Sequence, residues 1–283
     1  MPTLVETDTY LNLLLSIPGL NPNTILSALF LSLARIFPIT MLAPFFGAKN
    51  VPAPVRIMFS LSLLAILLPS ILLNLKVNIP FDLNYIGYLL KELFIGFILG
   101  FLVAIPFFIA QSAGSLTDHM RGAQSLQVTD PTTNSQTGPI GIFYNYVLIT
   151  IFYFIGGPFI FLEALSKSYI IIPINKFINP LFFSLKLPIW KLIIGLSNYI
   201  LSMAIQLAAP SLIGVLMAEM FLGIANRLAP QVQIVFLGIS LKSWVGLALL
   251  AAGWYFIMIQ LGKESENWLK VIQTTLDHTK KFM

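Results

Sequence analysis

Long uncharged apolar runs, separated by short polar breaks, set the pattern of this chain. The longest, LIIGLSNYILSMAIQLAAPSLIGVLMA at 192–218, could cross a bilayer as one helix. Comparable runs occupy about 24–46, 57–75, 93–110, 142–162 and 243–262. In lipid every backbone amide must be bonded within its own segment, so these runs read as helices and the chain as an all-α polytopic membrane protein. Pro38, Pro44, Pro69, Pro106, Pro158 and Pro210 lie within or near the runs, each removing a backbone donor, so the spacing predicts kinked helical hairpins.

The connections are unusual. Residues 111–141 are rich in Ser, Thr, Gln and Gly. Their first half keeps helical order, with Ala113, Leu116, Met120 and Ala123 three and four apart and Asp118 and Arg121 spaced as an i, i+3 surface pair. Their second half, with Asp130-Pro131 and Gly138-Pro139, reads as irregular chain. Residues 168–190, broken by Pro173, Pro180 and Pro188, are too apolar for a solvated loop and are expected at an interface or beneath a partner. The polar tail puts Trp268, Leu269, Ile272 and Leu276 on one helical face, suited to a membrane surface or another protein.

Composition agrees with the pattern: 57% of the 283 residues are hydrophobic and 10% charged, against about 25% charged in soluble domains. The absence of cysteine excludes disulfides, thiolate metal sites and cysteine nucleophiles. The net charge of +5 is scattered between apolar runs, which fits topology and anionic lipid headgroups and not nucleic acid. Counting one crossing per run places Lys76, Lys91, Lys167, Lys176 and most other cations on the side of the termini, which the positive-inside rule assigns to the cytoplasm. The first twenty residues hold Glu6 and Asp8 but no Lys or Arg, so they are expected to belong to the mature chain.

Three charges stand where charge is expensive. Arg35 falls inside the first run, where an arginine costs about 2.5–3.5 kcal/mol and is expected to face protein or water. Glu92 opens the third run and Glu219 closes the fifth, and both head a short echo, Glu-Leu-Phe-Ile-Gly and Glu-Met-Phe-Leu-Gly. In each, a carboxylate stands one turn from a glycine where another backbone can approach. Gly96 and Gly100 extend this as a GxxxG pair. No HExxH, GxSxG, Walker A or GxGxxG motif occurs, and the acids Asp8, Asp82, Asp118, Asp130 and Asp277 read as solvated loop groups, so no catalytic, metal or cofactor site is expected.

Four blocks in order complete the pattern: RIFPITMLAPFFGAKNVPAPVRIMFSLSL (35–63), KELFIGFILGF (91–101), AGSLTDHMRGA (113–123) and APSLIGVLMAEMFLGIANRLAPQVQIVFLGISLK (209–242). Over about residues 25–262 the chain resembles the FliR/SctT family, the T subunits of the type III secretion export apparatus and its flagellar version. The resemblance aligns Arg35, Pro44, Pro52, Pro54 and Arg56 with the family's first hairpin and proline-rich turn. Glu92, Gly96 and Gly100 match its acidic third segment, and Gly114, Asp118, Met120, Arg121 and Gly122 its plug region. Pro210, Glu219, Gly223, Arg227, Pro230, Gln231 and Lys242 match its carboxy-terminal signature.

The resemblance implies a multi-pass subunit of a protein-conducting gate in the bacterial inner membrane, packed with P-type, Q-type (R- and S-subunit) and U/V-type proteins around secreted, unfolded substrates. It implies no cofactor and no catalysis. It divides the chain into a membrane-embedded part, 1–262, and a polar tail, 263–283. Within the first, 1–141 is P-like and holds the plug loop at about 111–141, and 142–262 ends in a Q-like hairpin. The alternative is a self-contained secondary transporter for small solutes, favoured by the Glu92/Glu219 echo and disfavoured by the position of both acids at run ends.

Overall fold

A computed structural model of the chain describes residues 12, 21–46, 51–75, 78–123, 128–129, 136–178, 188–228 and 234–280. In chain order these form α1 (Pro22–Leu42), a 3-10 turn (Pro44–Phe46), α2 (Ala53–Leu73), α3 (Leu83–Met120), the two-residue strands β1 (Val128–Thr129) and β2 (Gln136–Thr137), α4 (Pro139–Phe154), α5 (Gly157–Ile171), α6 (Pro188–Leu228) and α7 (Ile234–Lys280). β1 and β2 pair antiparallel, Val128 opposite Thr137. Five of the helices are long and apolar enough to cross a membrane, or six if α4 and α5 count as one bent span. The fold is therefore that of an all-α, multi-pass membrane protein.

The helices overrun the apolar runs that announce them. At 1.5 Å per residue, the 38 residues of α3 reach about 57 Å and the 47 of α7 about 70 Å, well beyond a hydrocarbon core of roughly 30 Å. Hydropathy marks only the lipid-sized part of each helix, and the more polar ends of α3 and α7 stay helical beyond it. Hence the helical order read in 111–123 is the last turns of α3. The polar tail begins inside α7, which runs unbroken from Ile234 to Lys280. Pro38, Pro69, Pro106 and Pro210 remain inside helices.

The run at 142–162, which reads as one span, is broken. Gly156 adopts φ +72°, and α4 and α5 diverge by 73° there. The break is a helix stop: Ile155 N bonds Ile151 O and Gly156 N bonds Tyr153 O, a left-handed glycine follows, and Pro158 sets the next helix start. The Phe152 ring packs so closely over Gly157 that a Cβ there would meet it at 2.6 Å.

Packing divides the chain into two compact units, one of residues 1–103, 159–191 and 271–283, the other of 104–158 and 192–270. In the first, α1 turns its polar side inward. Thr24, Ser27, Ser32, Arg35 and Thr40 are buried beside Ala28, Leu31, Ile36 and Ile39. Ser27 Oγ donates to Ile79 O (3.0 Å) or Asn23 O (2.9 Å), Thr24 Oγ1 donates to Asn78 Oδ1, and the Thr40 and Ser60 hydroxyls join α1 to α2 at 2.8 Å. This inversion suits lipid, where apolar faces gain little by association and polar groups must bond each other. The Pro44–Phe46 turn seats Phe45 edge-on to Phe161 of α5.

In the second unit the end of α3, α4, α6 and α7 interlock through aromatic pairs and glycines. Phe107 meets Phe152 edge-on, Phe143 stacks on Trp254 at 5.1 Å, and Tyr199 stacks on Trp268 at 5.2 Å. Trp268 and Leu269, of the apolar face predicted in the tail, are at most 5% exposed; Ile272 of that face, which belongs to the first unit, is 4% exposed. Leu276, the fourth residue of that face, has a side chain outside the described set.

Candidate functional site: buried charges in an apolar chain

Arg35 and Glu92 meet in the first unit with neither side chain exposed. Arg35 Nε donates to Glu92 Oε2 at 2.5 Å and its NH2 to Oε1 at 3.0 Å, a two-pronged pair. Two further donors are bonded: NH1 reaches Ser168 Oγ (3.1 Å) and NH2 reaches Ile172 O (2.7 Å). The Tyr169 ring covers the guanidinium at 4.2 Å, and its hydroxyl donates to Ser32 O. Arg35 thus faces protein, as its cost in lipid requires.

Lys91 is the third member, missed in the sequence because it sits at the polar edge of the apolar run and counts there as a topological loop cation. It lies inside α3, 6% exposed. Its Nζ contacts Glu92 Oε1 at 2.6 Å and donates to Pro173 O (2.8 Å), Lys176 O (3.0 Å) and Ile174 O (3.3 Å). Two cations face one carboxylate. Carbonyls just past the C-terminal, dipole-negative end of α5 balance the excess. Glu92 lies on the same face of α3 as Ile95, Leu99 and Leu102, all buried.

The GxxxG pair serves the same junction. A Cβ at Gly96 would overlap the Arg35 carbonyl oxygen, and one at Gly100 would lie 3.0 Å from Ile39 Cα. The backbone that approaches these glycines is α1 of the same chain.

The second unit holds a different arrangement. Asp118 and Arg121, read as a surface pair on solvated chain, are buried at 3% and 6% exposure. Helix phase gives their pairing but not which face of α3 is covered, and here α4 and α7 cover it. Asp118 Oδ1 accepts from Arg121 Nε (2.9 Å) and NH2 (2.6 Å). Its Oδ2 accepts from the backbone N–H of Ile140 (2.9 Å) and Gly141 (3.4 Å). These are the first free donors of α4, whose N-cap, Gly138, has no side chain to bond them. The cap is supplied from α3, twenty-two residues away from Ile140 in sequence. Arg121 NH1 also donates to Ser243 Oγ of α7 at 3.3 Å.

Glycines let these parts meet. A Cβ on Gly114 would lie 2.6 Å from Gly141 N, and one on Gly138 would strike the Asp118 carboxylate. Gly122, just beyond α3, takes φ +81°. Met120 is half-buried at the last position of α3.

Glu219 and Lys242 pair at 2.5 Å between α6 and α7, with side chains 40% and 27% exposed. With Gly223 and Asn226 they line a cleft of about 310 Å³. The echo is thus asymmetric: each glutamate has a cation, but Gly96 is filled by α1 whereas nothing lies within 4 Å of a Cβ at Gly223. The other candidates stand apart. Pro52 is the N-cap of α2 and Pro54 lies in its first turn, Arg56 has a buried Nε without a partner, Pro210 is mid-α6, and Arg227 is exposed near the end of α6. Pro230 and Gln231 lie outside the described residues.

A sequence model of the bacterial export proteins, family 1, matches residues 26–268, nearly all of the helical region. The chain belongs to this family. This is the FliR/SctT family that the four sequence blocks resemble. Among similar members of this export family is the Yop proteins translocation protein T of Yersinia pestis, 36% identical over 162 residues, 56% of this chain and 60% of that protein. The matched stretch is therefore about three fifths of that relative's length. The surface presentation of antigens protein SpaR of Shigella flexneri is 27% identical over 218 residues, 76% of this chain and 80% of its own. The flagellar biosynthetic protein FliR of Bacillus subtilis is 27% identical over 223 residues, 79% and 84% respectively. The match to the family runs through both buried charge clusters.

Proposed function

We propose that this export-family chain is a core membrane subunit of the type III protein secretion gate in the bacterial inner membrane. It forms part of the protein-conducting pore and its closure, and assembles with P-, Q-, S- and U/V-type subunits. The reading rests on the family match across residues 26–268. In keeping with it, the lipid-length window of α3 is 67% buried within the chain but that of α7 only 17%, which leaves α7 a face for neighbouring subunits. Gly223 is open beside the Glu219–Lys242 pair, as a close helix–helix approach needs.

In this reading the chain catalyses nothing and supplies wall, closure and assembly order. Residues 1–141 act as the P-like part, with closure assigned to the neighbourhood of Gly114, Asp118, Met120, Arg121 and Gly122, and the hairpin ending 142–262 as the Q-like part. Deletion of the gene tests it. Secretion should stop, and the tagged chain should co-purify with small hydrophobic P-like and Q-like proteins. Unimpaired secretion, or a stable solitary chain that moves small solutes, overturns it in favour of a transporter.

A further inference from the structure

Polar groups hold the α6–α7 hairpin at two levels. At one, Glu219 pairs directly with Lys242. From there α6 runs back about 30 Å to Tyr199, a hydrocarbon thickness away. At that second level Tyr199 Oη donates to Glu264 Oε2 at 2.8 Å and Gln260 Nε2 donates to Oε1 at 2.9 Å. These two neutral donors take about half of a carboxylate's capacity of roughly four bonds. The next residue of α7, Ser265, is 1% exposed, and its Oγ has no hydrogen-bond partner in the chain. A buried hydroxyl in that position is costly unless something outside the chain completes it.

Tyr199, Glu264 and Ser265 line one cavity of about 10 Å³, walled otherwise by apolar side chains such as Pro106 of α3, Leu148 of α4 and Trp268 of α7. That is about the least room that admits one water, and too little for any larger polar molecule. A buried water also needs about two to four polar partners, and three line this cavity. Protons decide against a metal ion of similar size. The Tyr199 proton already goes to Glu264, and the Ser265 proton needs an acceptor, which water supplies and a cation does not. Solvent is at hand, because Lys263 and the polar tail begin beside the site.

We propose that this cavity binds one structural water. It accepts from Ser265 Oγ and donates to the Glu264 carboxylate and to the Tyr199 oxygen. A solvent molecule thus completes the tie between α6 and α7 at the level where the polar tail begins. The tie at Glu219 and Lys242, whose side chains are partly exposed, is made directly and needs no such filler.

Ser265→Ala removes one partner of the water with little change of shape. Alanine also gains helix propensity, so Ser202→Ala, at an exposed position of α6, serves as the reference. In thermal unfolding of the full chain in one detergent, Ser265→Ala should melt about 2–4 °C below Ser202→Ala, the shift for losing about one net hydrogen bond in a chain of this size. An equal or higher midpoint overturns the water, since deleting a dry, unbonded hydroxyl is neutral or stabilising. The double variant Tyr199→Phe/Ser265→Ala should lose less than the sum of the two single losses, because the two hydroxyls make no direct bond and share one water. Strict additivity overturns the proposal. Midpoints in sodium, potassium and choline chloride of equal ionic strength should coincide. A rise confined to sodium or potassium assigns the cavity to a cation and overturns the water as well.

Discussion

Replacing Glu92 by Gln keeps the shape of the first cluster and removes its only anion. Arg35 Nε and NH2 and Lys91 Nζ then point at a neutral amide, at most one of whose two terminal atoms accepts. Both cations stay out of water, with side chains 0% and 3% exposed. Breaking a buried pair by removing one partner costs about 3–5 kcal/mol, and two stranded cations place this site at the upper end. Since 1.4 kcal/mol is about tenfold, the ratio of folded to unfolded chain falls by roughly three to four orders of magnitude.

Lys91→Met should cost less. Glu92 keeps Arg35, and the loss is confined to the carbonyls of residues 173, 174 and 176, at about 1–3 kcal/mol for each group left truly unsatisfied. Glu219→Gln, at the partly exposed pair, should change stability of the isolated chain by less than about 1 kcal/mol. Thermal unfolding of the purified chain in one detergent, with its steady-state level in membranes, ranks the three. The reasoning is refuted if Glu92→Gln melts within a degree or two of wild type, or if Glu219→Gln is the most damaging.

Gly96→Ala should destabilise the chain by about 1–3 kcal/mol, because its Cβ overlaps the Arg35 carbonyl; reduced protease resistance of α1 would report it. Gly223→Ala meets nothing in this chain and should raise its melting temperature slightly, helix propensity favouring Ala by about 1 kcal/mol, while weakening recovery of partner subunits in pull-down. Gly156→Ala should cost about 1 kcal/mol at φ +72°, measured as a lower midpoint in the same thermal assay. Charge reversal at Glu219 or Arg227 should abolish secretion with loss of the assembled complex; intact complex in both variants would remove these two residues from the assembly surface.

How much of this was legible depends on the kind of pattern. The apolar runs gave the order of the helices but not their number, since the run at 142–162 holds both α4 and the start of α5. They could not give helix ends, because Leu83–Tyr88 and Lys263–Lys280 stay helical without being apolar enough to register. The break after α4 hung on one glycine followed by Gly-Pro inside an apolar stretch, a stop signal that hydropathy averages away. Glu92 was marked as a charge at the head of an apolar run beside Gly96, but the run is apolar on every face and Phe94 and Phe97 are exposed, so its burial was not readable from phase. Nor was that of Asp118, because what buries it is the backbone of Ile140 and Gly141, and backbone amides leave no mark in a sequence. The GxxxG motif was read correctly as a site of close approach, but only the folded chain says that the visitor at Gly96 is α1.

The unbroken course of α7 has a mechanical meaning. From Ile234 to Lys270 it is a single proline-free helix of about 55 Å. The exposed Glu266–Lys270 pair therefore stands on the same continuous hydrogen-bonded element as Ser243 and Gly246, the positions that touch Arg121. A force applied at that ion pair has a covalent and hydrogen-bonded route to the Arg121 contact that needs no intervening loop.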